Sequence, residues 1–136
     1  MNDSPLPSFG HAPSAADLDR LARAALASIP APFADHLPHI VIQVEEFPDD
    51  ELLDEMEVED PFDITGLYQG IPVGERTQAL ATQPDMIFLF RQPLLAEWCE
   101  TDQTLEEIIT HLIVHEVGHH FGLSDDDMEY IEDSVD

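Results

Sequence analysis

Residues 115–125 read HEVGHHFGLSD, with two histidines four positions apart and a glutamate directly after the first. No other feature constrains the fold of this chain as strongly. Residues four apart lie one above the other on an α-helix, so His115 and His119 can reach one ion only if the segment is helical. Glu116 is then turned about 100° from His115, close enough to touch a water on that ion without binding the ion itself. Two neutral imidazole nitrogens suit Zn²⁺, which in catalytic sites takes three protein ligands and a water. Zinc lowers the pKa of that water toward about 7, and a neighbouring carboxylate can take its proton.

The pattern continues to Gly122 and Asp125. On an unbroken helix, Asp125 would stand about 9 Å beyond His119 along the axis. A glycine at 122 can end the helix in a left-handed conformation and turn the chain, which brings Asp125 back toward the same ion. The expected site is therefore His115, His119 and Asp125 holding one Zn²⁺ per chain, with Glu116 as general base. His120 falls one turn beyond Glu116 and points away from the His115/His119 row. His111 lies one turn before His115. Both are expected near the ligands rather than on the ion.

The rest of the chain is read around this helix. Thr104 and Glu107 form a capping box that opens it, and Leu105, Ile108, Ile109, Leu112 and Ile113 give it an apolar face. DLDRLARAALASI places Leu18, Leu21, Ala22, Ala25, Leu26 and Ile29 at helical spacing, stopped by Pro30 and Pro32. HIVIQVEEF (39–47) alternates as a strand, and DMIFLF (85–90) is a short apolar run suited to a buried strand. GLYQGIPVGER (66–76) reads as an irregular edge strand or a loop. A short helix is expected around Glu51 to Glu55, another from Pro93 through LLAEWCE, and a last one from Ser124 through Met128, Tyr130 and Ile131. Residues 1–15, rich in Pro, Ser and Gly, read as a flexible tail before a single domain at 16–136.

Composition narrows the function. Thirty acidic residues face four arginines and no lysine, for a net charge of -26. Phosphate backbones and anionic membranes gain affinity by pairing with Lys and Arg, so neither is an expected partner. The acidic stretch before residue 63 reads as a solvated face. Cys99 stands alone, which excludes an internal disulfide and fits a reducing compartment; beside Trp98 it is expected as a buried thiol. The N-terminus has neither the basic nor the apolar region of a secretory signal, and no apolar run reaches the roughly 18 residues that span a bilayer. A cytoplasmic protein is expected.

HEVGHHFGLSDDDM, together with GLYQGIPV and PDMIFLFRQPL, resembles the small bacterial zincin-like metallopeptidases over about residues 17–136. The resemblance implies an α+β fold, a small mixed sheet packed against helices with the long HExxH helix flooring a cleft. It also implies a zinc-dependent peptidase acting on a peptide or protein substrate, with the ligand set and base already given. Such enzymes hold the substrate strand along a sheet edge, and GLYQGIPV is expected to supply that edge or a lid. Hydrolysis further needs a donor for the oxyanion, and Tyr68, Tyr130 and Arg91 are the candidates. Two other classes share the ligands. A non-catalytic zinc-binding or regulatory domain would close the fourth coordination position. Some metal-dependent ribonucleases of rRNA maturation use the same spacing, but Glu116 and the strong negative charge count against that class.

Overall fold

The computed structural model describes residues 10–30, 40–70 and 85–120 and, near the C-terminus, 126, 128–130 and 133. Helix α1 spans Ala15–Ala27. A reciprocal cap begins it: Asp17 N–H donates to Ser14 Oγ and Ser14 N–H donates to Asp17 Oδ2. The helix thus starts three residues before Leu18, where its apolar periodicity begins. Leu18, Ala22 and Ala25 form its buried stripe.

Three strands make a mixed sheet. β1 is Ile40–Glu45, β2 is Gly66–Gln69 and β3 is Asp85–Phe90, in the order β1-β3-β2. β3 lies parallel to β1, with Ile87 beside Ile42, and antiparallel to β2, with Ile87 beside Tyr68. The central place of β3 accounts for its apolar composition. Asp85, Ile87 and Leu89 are buried on one face, and Phe88 is half-buried on the other. β2 is an edge strand, as β1 is, among the described residues, so the first of the two readings of 66–76 holds for its opening residues; those from 71 onward lie outside the described residues.

The short helix α2, Asp50–Glu55, is capped by Asp49, and a 3₁₀ turn at Pro61–Asp63 leads into β2. Helix α3, Arg91–Glu100, begins directly after β3, two residues before the expected start at Pro93. Proline is tolerated anywhere in a first turn, where its missing N–H has no partner to lose. The long helix α4 is Leu105–His120. Cys99 is exposed, against expectation. α3 buries only Pro93 and Leu94, and its last turn, with Trp98 and Cys99, faces away from the core.

The main core lies between one face of the sheet and helices α1 and α4. Leu18, Ala22, Ile87, Leu89, Leu94, Ile109 and Ile113 have no accessible surface there, and Met128 is all but buried with them. A smaller cluster of Leu53, Ile64 and Phe90 covers the opposite face. This is the α+β arrangement expected, with a small mixed sheet and the longest described helix packed on it. Among the described residues no helix is long and apolar enough to cross a membrane.

Candidate metal centre

α4 forms because its first turn is capped and its core face is apolar. Thr104 N–H donates to Glu107 Oε1 and Glu107 N–H donates to Thr104 Oγ1, each at 3.0 Å. Ile109, Ile113 and Val117 then bury one side of the helix. The other side carries His111, Leu112, His115, Glu116 and His119. His115 is half-buried and His119 exposed.

The two rings stand edge to face, with centroids 5.8 Å apart and planes at 86°. Two imidazoles sharing a tetrahedral zinc at about 2.0–2.1 Å put their centroids about 5 Å apart. The separation of the two rings is thus close to the one a shared ion would set. His111 behaves differently. Its ring lies over that of His115 at 4.0 Å and a tilt of 32°, a stacked packing geometry. Among the described residues no group of three His, Cys, Asp or Glu side chains is arranged to hold a metal. Asp125, Gly122 and the side chain of His120 lie outside the described residues.

Glu116 is half-buried, and its Oε2 accepts a 3.1 Å hydrogen bond from the backbone N–H of Tyr68 on β2. Burial holds its carboxyl above the ordinary value of 4.5, opposed by that N–H and by the charge of His119. A raised folded-state pKa has a fixed sign in linkage: its contribution to stability is fully present below about 4.5 and is lost as pH rises through the raised value. The metal-free wild type should therefore lose stability relative to Glu116→Gln as pH rises from 4.5 to 7. Urea unfolding of both proteins at the two pH values measures it; a gap that stays constant contradicts the raised carboxyl.

The remaining candidates are spread over the molecule. Tyr68 lies beside Glu116, but its hydroxyl donates to Asp85 Oδ2 at 2.5 Å. Arg91 donates through Nε to Pro13 O at 2.8 Å and through Nη1 to Glu46 Oε1 at 3.0 Å, tying the segment before α1 to the end of the sheet. Tyr130 is 62% exposed. Asp85 was not among the residues picked out by sequence, yet it is the one buried charged residue among those described. Its signal was available: period two in DMIFLF sets an acid on the same face as Ile87 and Leu89.

A model of the zincin-like metallopeptidase family matches residues 37–135, well over half of the chain. No curated protein matches the sequence.

Proposed function

The chain belongs to the zincin-like metallopeptidase family, and on that premise we propose that it is a zinc-dependent endopeptidase with Glu116 as its general base. One observation carries the reading. Beside a histidine pair spaced for a shared ion, a half-buried carboxylate has one oxygen tied to a strand N–H. His115 and His119, with Asp125 as the third, are the residues that would hold the metal. Zinc, when bound, supplies a Lewis acid that polarises the scissile carbonyl and makes a water acidic near neutral pH.

The protein's own groups do the rest. Glu116 holds Oε2 on Tyr68 N–H, which leaves Oε1 to take a proton and later deliver it to the leaving amine. Its raised pKa brings the carboxyl closer to the pH at which it must both accept and return that proton. Edge strand β2 gives its outward Tyr68 N–H to Glu116, so the strand that borders the base also holds it. His111, stacked on His115, restrains that ring.

Zinc titration of the whole chain should reach one ion per chain, and His119→Ala should weaken that binding by more than about 100-fold, since even outer partners cost 10–100-fold. The zinc-loaded wild type should cleave members of a broad peptide library, stop on chelation and recover with one equivalent of zinc. A loaded protein that cleaves nothing overturns the peptidase reading.

A further inference from the structure

We propose that Tyr68 and Asp85 are positioning residues for Glu116, with the backbone N–H of Tyr68 as the group that fixes the base and Asp85 as the anchor that fixes Tyr68. This rests on the peptidase reading of Glu116 and adds to it the device that holds the carboxylate in place.

The strand pairing dictates where that N–H points. Phe90 N–H donates to Thr65 O at 3.0 Å, which makes 65 and 90 a hydrogen-bonded pair. In an antiparallel ladder such pairs alternate, so 67 with 88 and 69 with 86 follow, and Tyr68, opposite Ile87, turns its N–H away from β3. Outward from β2 lies α4, and there the N–H meets Glu116 Oε2 at 3.1 Å.

Helix and strand are in step along this contact. A Cβ built on Gly66 would come within 2.9 Å of Phe88 O in β3 and 2.7 Å of Leu112 Cδ2, so glycine fits the strand pairing here and leaves the Leu112 side chain of α4 directly against β2. Leu112 and Glu116 are one turn apart on α4, a rise of about 6.0 Å. Gly66 and Tyr68 are two residues apart on β2, a rise of about 6.8 Å. The matching rises keep helix and strand in step from the Leu112–Gly66 contact to the Glu116–Tyr68 contact.

Asp85 fixes the other end. It is only 1% exposed, and its Oδ2 accepts the Tyr68 hydroxyl at 2.5 Å. A Cβ on Gly70 would fall 2.6 Å from Asp85 Cγ and 2.7 Å from the Tyr68 ring, so the chain closes over this pair without a side chain between. A phenol on a buried carboxylate cannot drift, and the N–H of the same residue inherits that fixity. The Tyr68 hydroxyl thus acts through the backbone on the base.

Amide exchange followed by NMR on the full chain, metal-free and zinc-loaded, tests the contact without needing a substrate. Tyr68 N–H should be protected in the wild type, stay protected in Glu116→Gln, which keeps an acceptor oxygen, and exchange at least about tenfold faster in Glu116→Ala. Leu67 and Gln69, bonded to β3, should not change. Tyr68→Phe and Asp85→Asn should each speed exchange at residue 68 and, on any peptide the wild type cleaves, lower kcat about tenfold or more with KM unchanged. Exchange at 68 that ignores Glu116→Ala overturns the proposal, as does a Tyr68→Phe enzyme with wild-type kcat. A wild type that cleaves nothing overturns the peptidase reading instead, and the exchange results still decide the contact.

Discussion

Replacing Glu116 by Gln should lower kcat by about 10²–10⁴-fold while zinc binding stays within a few-fold of wild type. The substitution changes one atom. Gln keeps an oxygen that can accept from Tyr68 N–H, so the 3.1 Å contact and the local packing survive. What disappears is the capacity to take a proton, because an amide is not a base at any relevant pH. The expected loss corresponds to about 3–5 kcal/mol of transition-state stabilisation. His115 and His119 sit on the helix row next to Glu116, and Gln keeps the size and the acceptor oxygen of the side chain beside them, so metal affinity should hardly move. Peptide cleavage measured together with bound zinc separates the cases. Hydrolysis that survives in the zinc-loaded Glu116→Gln protein would remove Glu116 from the chemistry and return the site to a non-catalytic zinc-binding role.

Much of this architecture is legible in the residues themselves, and the limits have physical causes. The Thr104/Glu107 box and the Ile109/Ile113 stripe announce α4, because caps and helical periodicity are local. The apolar run 85–90 announces a buried strand for the same reason. The strand order does not announce itself: β3 pairs parallel with a strand 45 residues earlier and antiparallel with one about 20 residues earlier, and only tertiary packing selects those partners. Cys99 misled because apolar neighbours suggest burial, whereas α3 is short and buries only its first turn. The Glu116 contact was invisible for a different reason. Its donor is a backbone N–H 48 positions away, and every residue but proline carries one. Asp85 left a readable trace, an acid heading an otherwise apolar strand, whose meaning appears only when the Tyr68 hydroxyl reaches it.

Ile113→Ala should cost about 2–5 kcal/mol of unfolding free energy, a large share of the 5–15 kcal/mol typical of a domain. Ile113 has no accessible surface and packs in the cluster that joins α1, β3 and α4. Deleting three carbons there leaves a cavity that the sheet and helices can only partly close. The margin to absorb it is thin, because a net charge of -26 on 136 residues repels itself in the folded state. The same helix carries the two proposed histidine ligands on its other side, which gives the loss a distinctive remedy. Zinc binds only the folded site, so at about 100 times its dissociation constant it should restore roughly 2.7 kcal/mol. Urea unfolding of wild type and Ile113→Ala, each with and without zinc, measures both effects. A loss under about 1 kcal/mol would contradict the packing given for Ile113. A variant destabilised as expected but not rescued by zinc would show that the core and ligand faces of α4 do not unfold together, and would break the link between this packing and the metal centre.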